Sequence, residues 1–220
     1  MYEFIPKYLP FFLRGLQYSL ILALVPLALG FVVGLLAALA DVYGGKITSA
    51  LINIYVEFFR GSPLIVQTIL FYWFIPQNLL GIRIDRLLAA LLAFTLNSGA
   101  YQKGYIKGAI DAVYEDQMMA ARSLGMSKLK SIRHVVLPQA LRIVIPGWTN
   151  EYASMSKSTS AAIAIGIPEL ANISLSIASW TFRSFETYTF TALLYFIWIF
   201  SSVKILELVY ERVKIPGFET

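Results

Sequence analysis

Leu16 to Ala40 reads LQYSLILALVPLALGFVVGLLAALA, and no residue in that run carries a charge. A helix of about 25 residues rises roughly 37 Å, enough to cross the roughly 30 Å of a bilayer's hydrocarbon. Composition points the same way: 58% of the 220 residues are apolar and 14% charged, with a mean hydropathy of +0.67. A soluble domain carries roughly 25% charged residues. Backbone groups in lipid must be satisfied within the segment, so an all-α membrane protein is expected. There is no cysteine, which excludes disulfides and thiolate metal sites. Met1 to Pro10 lacks the basic region and short apolar core of a cleaved leader, and none is expected.

Five transmembrane helices are expected: about Leu13 to Ala40, Lys46 to Ile75, Asp85 to Ile106, Leu137 to Ile165 and Tyr188 to Tyr210. Charges inside the later spans require a bundle interior or a wet cavity. Gly30 and Gly34, four apart, suit close helix packing. No repeat or flexible linker divides the chain, so residues 1–220 read as a single membrane domain with its core at about 13–210. With the N-terminus outside, eleven basic residues fall inside: Lys46, Lys103, Lys107, Arg122, Lys128, Lys130, Arg133, Arg142, Lys204, Arg212 and Lys214. Five fall outside: Lys7, Arg14, Arg83, Arg86 and Arg183. That excess places the C-terminus in the cytoplasm and the N-terminus outside.

Between the third and fourth spans lies a polar segment, Asp116 to Pro138, containing Gln117-Met118-Met119-Ala120-Ala121-Arg122-Ser123-Leu124-Gly125-Met126. Paired alanines let another surface approach closely, and Gly125 permits a sharp turn. Ser127 is placed to cap a second short helix carrying Lys128, Lys130 and Arg133. An ordinary amphipathic cytoplasmic loop is the alternative. The segment resembles the EAA loop of membrane subunits of ATP-binding-cassette (ABC) importers, a pair of short helices that docks into a groove on a separate ATPase. That resemblance implies a coupling surface of Met119, Ala120, Ala121, Arg122, Leu124, Gly125 and Met126.

Glu57-Phe58-Phe59-Arg60-Gly61-Ser62-Pro63-Leu64-Ile65-Val66-Gln67 resembles the E-x-x-R-G-T-P-L-x-x-Q signature of permeases for polar amino acids, with Ser62 where Thr is usual. Asn97-Ser98-Gly99-Ala100-Tyr101 resembles that family's N-S-x-A-Y. Asn150-Glu151 and Lys157-Ser158-Thr159-Ser160 are similar to its N-E and K-x-T-S elements. Several ordered motifs together cover nearly the whole chain and imply the type I ABC importer transmembrane fold. Two departures stand out. Met119 replaces the glutamate that names the EAA loop, and Lys103-Gly104-Tyr105-Ile106-Lys107 stands where the family has Ala-Glu, two residues, then Arg. The acidic member of that pair is missing, so the bundle must balance the charge differently.

A free amino acid presents an ammonium and a carboxylate, and a membrane site for it needs acceptors, donors and few unpaired buried groups. Glu151 and Lys157 supply both signs, although a separation of six residues is about 600° of rotation and the two do not share a face well. Asn97 and Tyr101, one turn apart, can line one cavity, and Ser158 and Ser160 complete the candidates for a substrate path. Glu57 and Arg60 sit at i and i+3 and are expected to pair. With Gly61, Pro63 and Pro138 they read as structural. For Asn97, Glu151 and Lys157, lining a path and holding the bundle both remain open.

Enzymatic readings fare badly. No G-x-x-x-x-G-K-[ST] cradles a nucleotide, and the single histidine, His134, cannot build a His-based metal site. The aromatic residues fall within or at the ends of spans, as interface anchors do, which argues against nucleic acid. The expected function is the permease subunit of an ATP-driven importer of a polar amino acid in the cell membrane. The chain itself binds no cofactor; ATP and Mg are used by a partner ATPase dimer. A second permease subunit (a copy or a related chain), an extracytoplasmic amino-acid-binding protein and membrane lipid are the other expected partners. The alternatives are a permease for methionine or an inorganic ion, and a secondary transporter that runs without an ATPase.

Overall fold

The computed structural model describes residues 4–215, and every element among them is helical. The first residues of the Met1–Pro10 stretch and the tail from 216 lie outside the described residues. Helix α1 (Phe4–Tyr43) and the last helix, α9 (Ser184–Val213), are each long and apolar enough to cross a membrane. The expected second span is broken. It consists of α2 (Lys46–Gly61), then α3 (Leu64–Ile69) running into a π-helical stretch (Leu70–Leu79), with a 105° bend between the two parts. Pro63 supplies the reason, because it lacks the backbone donor that would continue the ladder.

The third span is longer than expected. Helix α4 (Arg86–Ser123) starts behind Asp85, whose carboxylate caps the Leu87 and Leu88 amides, and runs unbroken for 38 residues. It therefore absorbs the first half of the Asp116–Pro138 segment, which is not a separate short helix. Its own hydropathy is low because Asn97, Ser98, Gln102 and Lys103 lie on its buried side. The α1 glycines explain how α4 is seated. A Cβ on Gly30 would come within 3.0 Å of the Gly99 amide nitrogen, and one on Gly34 within 2.9 Å of the Gly99 carbonyl oxygen. Close approach of two backbones is what glycine allows there.

The fourth span is segmented. A short α5 (Lys128–Ser131), a π turn (Ile132–Val136) and α6 (Leu137–Ile143) lead into α7 (Ile145–Ser158) and a 3-10 turn (Thr159–Ile165). The π turn accommodates Pro138, and the Leu137 amide donates to the Ile132 carbonyl across it. Helix α8 (Leu170–Thr181) was not among the expected elements. It follows α7 and its 3-10 turn at a 57° bend, with the Glu169 carboxylate capping the Ala171 and Asn172 amides.

Three apolar clusters follow the bundle, and a fourth, of Val56, Phe59 and Ala100, joins α2 to α4. Phe4, Phe12, Leu170 and Ile177 meet Phe190 at one end, Leu22, Phe94, Met155 and Ile165 fill the middle, and Ala38, Ile110, Val113, Val136 and Ala140 fill the other end. Large apolar side chains such as Leu36 on α1 and Phe196 on α9 stay exposed, as lipid-facing residues do.

Candidate functional site

The break in the second span builds one wall of a cavity. Pro63 cannot donate to the Phe59 carbonyl four residues back, which would leave a buried acceptor unpaired. Two side chains take its place: Gln67 Nε2 donates at 2.8 Å and Asn97 Nδ2 at 2.9 Å. Gln67 Nε2 also lies 2.9 Å from both Ser62 O and Ser62 Oγ, and its own Oε1 accepts from Asn97 at 3.0 Å. The network pins the bend to α4, and Ser62 retains the hydroxyl that the network uses.

The cavity beside this break has a volume of about 430 Å³. Arg60, Ser62 and Pro63 line it from the bend, Asn97 and Tyr101 from α4, and Glu151, Ser154, Met155 and Ser158 from α7. Glu151 is 3% exposed, and its Oε1 accepts from Ser98 Oγ at 2.8 Å. Ser98 in turn accepts from Gln102, whose amide oxygen accepts from the Trp148 indole at 2.8 Å. Among the described residues no cation lies within ion-pair distance of Glu151. The side-chain hydrogen bond that holds the carboxylate among the described residues thus comes from a neutral donor, the Ser98 hydroxyl.

Of the sequence candidates, Asn97, Tyr101, Glu151 and Ser158 come together around this cavity. Lys157 does not; its rotation around α7 places it beside Tyr195, Phe196 and Phe200 on another face. Ser160 donates to the Lys157 carbonyl at the end of the helix. The expected Glu57–Arg60 ion pair is also absent among the described residues. Arg60 instead places its guanidinium over the Tyr101 ring, 5.1 Å from the centroid, and supplies the cavity's positive charge. Gln67, Ser98 and Gln102 were missed as candidates, although Gln67 stood inside the quoted signature.

Below the cavity, the missing acidic residue of α4 is answered from a distance. Asp41, at the end of α1, lies 2.7 Å from Lys103 Nζ and 3.2 Å from Lys107 Nζ, and accepts from Ser49. Lys103 also donates to Asn53 at 3.3 Å. One carboxylate therefore ties α1, α2 and α4 together. No local pattern signals it, because the partners are some sixty residues apart in the chain.

The end of α4 is a surface feature. Gly125 has φ +80, and the Gly125 and Met126 amides donate back to the Arg122 and Ala121 carbonyls. This is a Schellman cap, in which glycine holds the left-handed position. The turn presents Met119 (69% exposed) and Leu124 (84% exposed), with Ala120 and Arg122 beside them. Ala121 is 3% exposed and packs inward, so it lies beneath this surface rather than on it. Ser127 caps α5 as expected, accepting from the Lys130 amide, and Gln139 bridges to Gln117 at 3.2 Å to hold the two arms of the segment together.

Residues 30–214 match the family model described as binding-protein-dependent transport system inner membrane component. The chain belongs to that family. It is 33% identical over 207 residues to the glutamine transport system permease protein GlnP of Escherichia coli (strain K12), covering 94% of each. The probable amino-acid ABC transporter permease protein PatM of Vibrio harveyi is 33% identical over 195 residues, covering 88% of this chain and 87% of that protein. The fold superposes on the crystal structure of an amino acid ABC transporter with histidines at a TM-score of 0.86 and 35% identity, covering 94% of this chain and 96% of that one. Likeness to the MetNI methionine ABC transporter, with a TM-score of 0.82 at 18% identity, covers 95% of this chain and 99% of that one and reflects the shared fold. The kinship expected from the signature motifs is thus with amino-acid ABC permeases.

Proposed function

We propose that this chain is the multi-pass permease subunit of a cell-membrane ABC importer that carries a polar amino acid through the Arg60–Glu151 cavity. The observation that carries the reading is that cavity: one buried carboxylate and one guanidinium, with hydroxyl and amide groups between them, complement a zwitterion's ammonium and carboxylate. A volume of about 430 Å³ suits a small polar solute.

The exposed Met119–Leu124 turn is the docking surface for a partner ATPase dimer, which uses ATP and Mg; the chain binds neither. A second permease subunit and an extracytoplasmic amino-acid-binding protein complete the importer. Five crossings, with the N-terminus outside and the C-terminus in the cytoplasm, would comprise the two long apolar helices, the two bent pairs and α4. The start of α1 meets the start of α9 at one end of the bundle, while Tyr43 and Lys128 meet at the other.

The test is uptake of a panel of amino acids by proteoliposomes holding this chain, its ATPase and the binding protein. ATP-dependent accumulation of at least one polar amino acid is expected, with no ATP hydrolysis by this polypeptide alone. Uptake of methionine or an inorganic ion only, or uptake that needs no ATPase, would refute the reading.

A further inference from the structure

Among the described residues no close backbone approach requires glycine at 104, and the same is true of Gly108 one turn further along α4. At Gly30, Gly34 and Gly99 an added Cβ would meet a neighbour at 3.0 Å or less. At Gly104 the atom it would meet within 4 Å, among the described residues and outside its own helical turn, is Nη1 of Arg60 at 3.6 Å, which is ordinary van der Waals contact. Glycine in a helix interior costs stability relative to alanine, and Gly104 lies well inside α4. What distinguishes Gly104 from Gly108 is the Arg60 guanidinium beside it.

The carboxylate that shares that guanidinium's cavity, Glu151, interacts with it across the cavity and not in a contact pair. No carboxylate lies within ion-pair distance of Arg60 among the described residues, and its contact is the face of Tyr101. Lys103 and Lys107, the cations on α4 that flank Gly104, are both held by Asp41, and the cation that lines the cavity is Arg60 on α2. A cation within a membrane domain is tolerated when it pairs with something or faces a wet cavity. A planar fork of donors is suited to a carboxylate.

We propose that Gly104 keeps Arg60 free to bind the α-carboxylate of the transported amino acid, and so sets the cavity's preference for zwitterionic over cationic substrates. This rests on the amino acid reading of the cavity given above. With Arg60 free, the site presents one positive and one negative group, matched by a zwitterion with a neutral side chain. A carboxylate at position 104 would reach the guanidinium, pair with it and leave Glu151 as surplus negative charge. The receptor for the α-carboxylate is lost, and a substrate with an additional cation is relatively favoured.

The experiment is equilibrium binding of radiolabelled L-glutamine and L-arginine to the purified permease–ATPase complex in detergent, without the binding protein. Gly104→Glu is compared with Gly104→Gln, which has the same bulk and no charge. Loss of a charge-assisted contact predicts L-glutamine binding about tenfold or more weaker in the Glu variant than in the Gln variant, with the L-arginine to L-glutamine affinity ratio shifted toward L-arginine. Arg60→Met should weaken L-glutamine similarly, and adding Gly104→Glu to it should have little further effect. Co-elution with the ATPase and an unchanged melting temperature identify variants that fold. Equal L-glutamine affinity in folded Glu and Gln variants would overturn the proposal, and an unaltered Arg60→Met complex would overturn it and remove Arg60 from the site, while L-glutamine binding by the wild-type complex would still support an amino acid as the substrate. A wild-type complex that binds no amino acid of a panel would overturn that reading and this proposal with it.

Discussion

Glu151→Gln separates binding from stability at one atom. The carboxylate's Oε1 accepts from Ser98 Oγ at 2.8 Å, and a glutamine Oε1 can accept the same bond. The chain from Ser98 through Gln102 to Trp148 therefore survives the substitution. Removing a charge that is 3% exposed and has no ion-pair partner relieves desolvation, so the melting temperature of the complex should stay the same or rise. Transport should move the other way. An ammonium bound to a carboxylate is a charge-assisted contact of about 1.5–3 kcal/mol, and its loss is roughly tenfold to hundredfold in affinity. Concentration-dependent uptake into proteoliposomes should show a KM for the transported amino acid raised by about that factor. Unchanged KM in a fully assembled complex would refute the role of Glu151 as the ammonium receptor. A large fall in melting temperature would show instead that the charge holds the bundle together.

Gln67→Leu should destabilise by about 1–3 kcal/mol, because Ser62 O loses a donor and the Asn97 amide loses an acceptor in a buried site; thermal unfolding followed by tryptophan fluorescence checks it. Asp41→Asn should cost more, about 3–5 kcal/mol, because it strands Lys103, whose side chain is 7% exposed, and pairing it with Lys103→Met should restore most of the lost melting temperature. Gly125→Arg should cost about 1–2 kcal/mol for the left-handed backbone at φ +80, yet reduce uptake and permease-stimulated ATP hydrolysis far more than that, because its side chain projects from the docking turn. Wild-type stimulation in that variant would remove the turn from the coupling surface.

The membrane class and the ordered motifs were legible because each rests on local pattern: an uncharged run, a proline beside a glycine, two residues one turn apart. The length of α4 was not, because hydropathy averages over faces. Asn97, Ser98, Gln102 and Lys103 lower the mean of a helix whose polar side is buried in the bundle, and the expected span stopped at Ile106 while the helix runs to Ser123. The Arg60 assignment failed for a related reason. Spacing of i and i+3 permits a pair with Glu57, but only tertiary placement brings Tyr101 beneath the guanidinium. Asp41 was illegible altogether, since a long-range ion pair leaves no trace in local periodicity. Lys157 shows the converse: its motif matched, while helical rotation turned it away from Glu151.

Helix α4 connects the cavity to the exposed Met119–Leu124 turn. From Asn97 at the bend to Leu124 at the exposed turn is roughly 40 Å of continuous helix. No proline interrupts it, and glycine contacts seat it against α1. Opposite it, the second span is broken at Ser62–Pro63 and held to α4 by side-chain hydrogen bonds rather than by helix backbone. Under the docking proposed for Met119 and Leu124, a load there would pass along continuous helix to the bend that lines the cavity. Displacing α4 by even an ångström lengthens the Asn97 bonds at 2.9 and 3.0 Å beyond useful geometry unless the bend follows. If the Met119–Leu124 turn docks the ATPase as proposed, the same hydrogen bonds that satisfy the proline break would make the cavity wall follow it.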